Sequence, residues 1–360
     1  MVRKNSILFV ESNYLRSGSL NYMKTINLVS IHPNPWHRQF PKNIPEWDGW
    51  RFIFNANDQD YDYLVVFDKI SAPITISCNP QNVIHLATEP NIRRHYSGEY
   101  LNQFAWTIRQ GNQGQGEQGA IFHQPGLNWH VGWMPHKNNF DKILDFGQIM
   151  DLFNQPKTKL ISIISSKITS TPQHQERLKF ARKLKSHFGN KIDFYGRGIV
   201  TMDDKLEALR DYRFHVVLES CSRKHYFSEK LSDCILAGAF PIYYGCPNLD
   251  EYFDQNAYRR IDIQNFEDSV NIITNATNGQ LDRKCRSALL EARDLILYKH
   301  NLFPMLINLI QGIEAGRYGL PNSTANNQNL VLMPSNVAKK ASSIHAVLSR
   351  LTDMVWRVKQ

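Results

Sequence analysis

No apolar run in the 360-residue chain approaches the ~18 residues that a membrane-spanning helix needs, so a helical membrane protein is not the expected class. The first apolar stretch, Ile7 to Val10, is cut by Glu11, well short of the ~7 residues of a signal-peptide core. Export is therefore not expected, and the Asn-x-Ser/Thr sequences at Asn275 and Asn322 carry no weight as glycosylation sites. Cysteine is scarce: Cys78, Cys221, Cys234, Cys246 and Cys285 are odd in number and include no Cys-x-x-Cys pair. A disulfide framework or a structural zinc site would need more, so the reading is free thiols in a reducing cytoplasm. Histidines His123, His130 and His136 form no helical pair with an acid, which argues against a metal hydrolase. There is no internal repeat and no low-complexity tract.

Charge is sparse as well. Charged residues make up 21% of the chain, and the basic excess behind the net charge of +9 is scattered, densest at pairs such as Arg93-Arg94 and Arg259-Arg260. An anionic partner is favoured. No basic run is interleaved with aromatics, so a nucleic-acid track is not expected and a phosphate-bearing small molecule fits better.

What the chain does contain is strand-and-helix alternation over a length that suggests two domains. Tyr22 to Ile31 is strand-like, Tyr63 to Asp68 reads as a buried parallel strand, and Val83 to Thr88 as another, running into Glu89-Pro90. Proline at 90 keeps Glu89 out of a helix and puts its carboxylate in a loop at a strand end, where ligands of open α/β sheets sit. A helical piece spans Ile143 to Phe153, and the domain junction is expected near 150–158. After it come a strand at Leu160 to Ile164, a helix from Gln175 to Phe188, and a strand at Ile192 to Tyr195. A short helix at Lys205 to Arg210, a strand at Phe214 to Leu218, a helix capped by Ser228 and a strand at Pro241 to Tyr244 complete the pattern. A loop-like stretch at 318–343 precedes an amphipathic helix, Ser342 to Val358. Packing on the body is its first reading, and a peripheral membrane contact the second.

The chemistry concentrates between Tyr212 and Gly245. Glu219 ends a buried strand. Ser228-Glu229-Lys230 opens a helix whose N-terminal amides carry about half a positive charge, a natural seat for a phosphate. Lys230 would add a full charge there, and Glu229 has the oxygens to accept from sugar hydroxyls. The plainer alternative is that Glu229 complements the helix dipole and Lys230 is solvated.

This stretch resembles the signature of the α-1,3-fucosyltransferase family (glycosyltransferase family 10). The residues that carry the resemblance are Phe214, Glu219-Ser220, Tyr226-Phe227-Ser228-Glu229-Lys230 and Ala237-Gly238-Ala239-Phe240-Pro241-Ile242-Tyr243-Tyr244-Gly245, with Asp262 to Phe266 after them. Ser165-Ser166, Arg177 and Asp193 to Gly198 extend it upstream, so that it covers about residues 160 to 270. The resemblance implies an α/β fold of GT-B type, with two Rossmann-like domains whose parallel sheets face a central cleft. Domain limits of 1–152 for acceptor binding and 153–317 for the nucleotide sugar follow, with 318–360 packing back. It also implies GDP-fucose as donor, with Arg177 and Lys230 on the diphosphate and Tyr226 and Glu229 on the ribose and sugar; Glu219, Ser220 and Ser228 complete the expected donor site. Unaided, Arg177 would read as a helix-surface residue. The family's Asn and Thr are Ser220 and Ser228 here; the second change keeps a hydroxyl cap, while the first opens the possibility of another nucleotide sugar.

The first half resembles the family more faintly, through Leu86 to Pro90. An inverting transfer needs a base for the acceptor hydroxyl, and Glu89 is the candidate; the alternative is a loop carboxylate capping Asn91 to Arg93, with Glu99, Asp68 and His85 as substitutes. Asp58-Gln59-Asp60 spells a metal clamp but lies in the first half, before a strand, and reads as a solvated loop. Cationic side chains and a helix N-terminus can neutralise a diphosphate, so no cofactor and no essential divalent metal are expected. The sequence-level expectation is an inverting fucosyltransferase acting on a glycan hydroxyl in the cytoplasm, in surface-polysaccharide or lipid-linked oligosaccharide synthesis. The class-level alternative is a non-catalytic nucleotide- or glycan-binding protein. Six tryptophans in the first half, Trp36, Trp47, Trp50, Trp106, Trp129 and Trp133, either stack on sugars or pack.

Overall fold

The computed structural model describes residues 22–90, 96–112, 117–133, 142–167, 171–323 and 331–335. The apolar runs Ile7–Val10 and Ser342–Val358 lie outside the described residues, as do Arg93-Arg94 and the Asn91–Arg93 cap.

The first half builds a seven-stranded sheet from β1 (Lys24–Ser30), β2 (Glu46–Trp47), β3 (Trp50–Phe54), β4 (Tyr63–Phe67), β6 (Val83–Leu86), β7 (Trp106–Arg109) and β8 (Ala120–Phe122), with the short β5 (Ile74–Thr75) outside it. Its order is β2-β3-β1-β4-β6-β7-β8, parallel throughout except for β2 at the edge. The central strands are the continuous apolar ones: every residue of β4 and β6 is buried, because layers cover both faces. Strands β3, β7 and β8 were not evident from apolar runs; β7 buries only alternate residues and ends in an arginine, so its signal is weaker.

The second half builds a five-stranded, all-parallel sheet from β9 (Lys159–Ile164), β10 (Ile192–Tyr195), β11 (Tyr212–Leu218), β12 (Phe240–Tyr244) and β13 (Arg259–Arg260), in the order β10-β9-β11-β12-β13. The helices are α1 (Gly98–Leu101), α2 (Phe146–Leu152), α3 (Pro172–Phe188), α4 (Glu229–Leu236), α5 (Phe266–Asn278), α6 (Leu281–Lys284), α7 (Arg286–Leu295) and α8 (Leu302–Glu314); β14 (Val331–Leu332) pairs with β5. Helix α3 begins three residues before the sequence pattern places it, because Thr171 caps it and Pro172 occupies the first helical position.

Two packing relations cross the division expected at 152/153. Leu302, Phe303, Leu306 and Ile310 of α8 pack against Ile26, Leu28, Phe52 and Tyr63 of the first sheet. Conversely, Leu127, Trp129 and Ile149 join Leu231, Ile235 and Leu297 in a core of the second half. Gly238, which ends α4 with φ +74°, packs beside this core: a Cβ there would lie 2.5 Å from the carbonyl oxygen of Phe153. Five of the six tryptophans are buried, and Trp47 packs half-buried on two cores, so packing accounts for all but Trp133, which also lines a cavity. Among the described residues no helix is long and apolar enough to cross a membrane.

Candidate active site

Two cavities meet between the sheets. The first, about 570 Å³, lies at the carboxyl ends of β9, β10 and β11. It is lined by Ser165, Arg177, Arg197, Lys205, Glu229 and Lys230 among others, and by Glu89 from the first half. The second, about 450 Å³, opens on the first sheet and is lined by His32, Asp68, Thr88, His130, Trp133, Tyr226, Ser228, and again Glu89 and Glu229. Glu89 and Glu229 therefore stand at the junction, one from each half.

The wall of the first cavity is organised by β11. Leu218 is its last strand residue, so Glu219 is delivered at the sheet end, where it is fully buried. Its two oxygens accept from the Ser228 amide and hydroxyl, each at 2.8 Å, and Lys230 Nζ lies 3.5 Å from Oε2. Gly245 makes room for this carboxylate: a Cβ there would come within 2.5 Å of Glu219 Cγ. Ser228 caps α4 in turn, accepting from the Lys230 amide at 3.4 Å and from Lys230 Nζ at 2.9 Å. Glu219 thus holds the helix start rather than facing a ligand, and it lines neither cavity.

Lys230 and Glu229 are an ionised pair. Burial pushes Lys230 down, but the carboxylates of Glu229 and Glu219 outweigh it and hold the ammonium above its usual range. Burial pushes Glu229 up, yet Lys230 and Lys205 hold it well below the ordinary carboxylate range. Arg177, on the second turn of α3, lines the same cavity, donates to the Leu218 carbonyl at 3.4 Å, and is close enough for its charge to act on Lys230. The two cations expected to grip a diphosphate share one cavity with the start of α4. Arg197 and Lys205 bring the cations on its wall to four.

Ser220 and Tyr226 are buried as well. Burial, then the charges of Glu219 and Glu89, push the Tyr226 phenol far up, so it stays protonated. Its hydroxyl donates to Glu89 Oε2 at 3.2 Å, and Ser220 Oγ, 2.9 Å away, donates to it in turn. The loop that delivers Tyr226 is pinned at His225, which adopts φ +61°, donates its amide to Asn248 at 2.9 Å and meets the Tyr252 hydroxyl at 2.6 Å. Of the residues picked from sequence, Glu89, Arg177, Glu229 and Lys230 surround the first cavity; Tyr226 and Ser228 line the second; Glu219 and Ser220 stand behind them.

Lys205, Asp233 and His215 escape the sequence pattern, whereas Asp68 and His85 are among its substitutes for Glu89. Lys205 and Asp233 form an ion pair at 2.8 Å on the wall of the first cavity. Asp233 was the available signal: an acid within the buried face of α4 needs a partner. His215, inside β11, lines the first cavity; Ser162 donates to the Ala208 carbonyl, so His215 Nδ1–H donates to Ser162 Oγ at 2.8 Å and Nε2 is the unprotonated nitrogen. Asp68, at φ +66°, accepts from the Thr88 hydroxyl at 2.7 Å and the Tyr96 hydroxyl at 2.8 Å on the wall of the second cavity. Its backbone carbonyl takes His85 Nε2 at 2.7 Å, which leaves His85 a core residue. Asp58 and Asp60 lie in an exposed bend and line neither cavity, and no group of three or more metal-ligating side chains occurs among the described residues.

Residues 154–278 match the family profile described as Glycosyltransferase family 10 (fucosyltransferase) C-term, which covers the second sheet and the first cavity. A fucosyltransferase-like protein of Arabidopsis thaliana is 33% identical over 102 residues, 27% of this chain and 19% of that protein; the match spans about a fifth of that relative's length. Among solved structures, an α1,3-fucosyltransferase with GDP-fucose is 15% identical, with 80% of this chain and 95% of that chain covered and a TM-score of 0.43. Anabaena HepE in complex with UDP-glucose is 11% identical, with 82% and 100% covered and a TM-score of 0.44. The resemblance read from residues 160 to 270 thus coincides with the profile match, and the two-sheet GT-B arrangement it implied is the one observed.

Proposed function

We propose that the chain is an inverting glycosyltransferase that moves L-fucose from GDP-fucose to a glycan hydroxyl without an essential metal. The diphosphate lies in the first cavity between Arg177, Lys230 and the start of α4, where a guanidinium fork, the Lys230 ammonium and the positive end of the helix dipole neutralise the charge that builds on the leaving group. The sugar points to the junction, where Glu229 accepts from its hydroxyls. The acceptor enters the second cavity. Its hydroxyl gives its proton to Glu89 as the oxygen attacks the anomeric carbon on the face opposite the departing diphosphate. Tyr226, donating to one oxygen of Glu89, orients the carboxylate. A cytoplasmic setting, with a lipid-linked or surface glycan as acceptor, belongs to the same proposal.

The observation that carries it is that Glu89 and Glu229, from opposite halves, line both cavities at once. The test is a screen of GDP-fucose, GDP-mannose and UDP-sugars for protection against thermal unfolding, followed by GDP release with and without glycan acceptors. GDP-fucose protecting best, with release accelerated by acceptor, is the expected result. Protection by UDP-sugars alone contradicts the donor, and binding without turnover under any acceptor contradicts the enzyme.

A further inference from the structure

We propose that Lys205 is a positioning residue for the donor sugar: its ammonium group, anchored on Asp233, holds one oxygen of Glu229 so that the other meets the sugar at the cavity junction. The inference deepens the function proposed above and rests on it for the substrate, a nucleoside-diphosphate sugar, but not for the geometry.

Lys205 opens a 3₁₀ turn (Lys205–Ala208) fixed by a reciprocal cap between Asp204 and Glu207, so its backbone is set before its side chain reaches the cavity. The side chain is 13% exposed; Nζ donates to Asp233 Oδ2 at 2.8 Å and to Glu229 Oε1 at 3.4 Å. Asp233, buried one turn after Glu229 on α4, accepts the His130 amide on its other oxygen at 2.8 Å. His130 lines the second cavity, so one chain of contacts runs from the acceptor side through Asp233 and Lys205 to Glu229. Lys230 Nζ also approaches Glu229 Oε1, at 3.5 Å. Both ammonium groups act on the same oxygen, which leaves Oε2 to accept from a ligand hydroxyl.

The charges facing Glu229 come from every element around it. Lys230 and Asp233 share its helix, Lys205 faces it from the 3₁₀ turn, and Glu219 stands at the end of β11. Glu89 follows β6, Arg177 on α3 faces Lys230, and His130, driven down to about 3 by burial and then by the Lys205 charge, is neutral. Without Lys205, Lys230 alone sits among Glu219, Glu229 and Asp233, and like charges in a buried site drive one carboxylate to take a proton.

Lys205→Met, Lys205→Arg and Asp233→Asn in the full chain test this. Three readouts are needed: GDP affinity by calorimetry, kcat/KM for the sugar nucleotide against pH, and the Glu229 titration by ¹³C-carboxyl NMR, assigned with Glu229→Gln. For Lys205→Met we expect the Glu229 titration and the acidic limb of kcat/KM to move up by about a unit or more. kcat/KM should fall about tenfold, and GDP affinity should change by less than about threefold. Lys205→Arg should restore all three, and Asp233→Asn should leave Glu229 titrating low. A Glu229 titration unmoved in Lys205→Met overturns the proposal. So does a loss of GDP affinity as large as the loss for the sugar nucleotide, which would make Lys205 a phosphate ligand. Should Lys205→Met fail to fold, Lys205→Gln carries the same measurements. If the wild type transfers no sugar from any nucleotide, the reaction proposed above fails, and the NMR titration still decides on Lys205.

Discussion

Replacing Glu219 with glutamine removes one charge and one acceptor from a fully buried position. In the native site the carboxylate takes two hydrogen bonds from Ser228, both 2.8 Å, and faces Lys230 at 3.5 Å. A glutamine supplies one oxygen and an amide that can only donate, so one Ser228 bond is lost and a donor is left against a donor. Bonds to charged groups are worth about 1.5–3 kcal/mol each, and a buried unsatisfied donor costs about 1–3 kcal/mol, so the variant should lose about 2.5–6 kcal/mol of stability. Nucleotide affinity should move the other way or stay level. The lost negative charge leaves Lys230 more fully available to a diphosphate, and Glu219 does not line the cavity. Urea unfolding paired with GDP calorimetry reads both quantities. Native stability with a marked loss of GDP affinity would refute the assignment of Glu219 as the support of the helix start and return it to the set of substrate contacts.

Glu89→Gln should lower turnover by about a hundredfold or more while leaving GDP affinity nearly intact, since it removes a proton acceptor and not a phosphate contact; steady-state kinetics with unchanged turnover would remove Glu89 as the base. Arg177→Ala and Lys230→Ala should each weaken GDP binding by about 1.5–3 kcal/mol, the worth of a charge-assisted contact, and calorimetry giving wild-type affinity for both would put the diphosphate elsewhere. Acid should destabilise the fold through histidines held neutral: burial drives His215 and His300 down to about 3, both being nearly inaccessible. Between pH ~6.5 and ~3 the unfolded chain binds a proton at each that the folded chain does not, so this contribution is complete above pH ~6.5 and falls by about 1.4 kcal/mol per unit per histidine below it. A urea midpoint at pH 5 equal to or above that at pH 7 contradicts this.

The second sheet and the start of α4 were legible because each depends on local chemistry. β11 carries Phe214, Val216, Val217 and Leu218, β12 is apolar and aromatic throughout, and Ser228 is a hydroxyl cap directly before an acid and a lysine. Gly238 and Gly245 follow from close approaches, to Phe153 and to Glu219, that no local pattern encodes. The same limit hid Lys205: its significance depends on Asp233, 28 residues away, and on the turn that aims it. Glu219 shows the converse. Sequence put it correctly at a strand end, but only the fold turns its carboxylate back onto Ser228 instead of outward. Helix α8 is a third case, since nothing in residues 302–314 says that they pack on β1, β3 and β4 rather than on the strands that precede them.

The most direct measurement is a crystal structure with GDP-fucose bound. The account predicts the diphosphate between the Arg177 guanidinium and the Lys230 ammonium at the start of α4, with the anomeric carbon turned to the Glu89 carboxylate and a fucose hydroxyl on Glu229. A nucleotide seated away from Arg177 and Lys230, or a sugar facing away from Glu89, would contradict it.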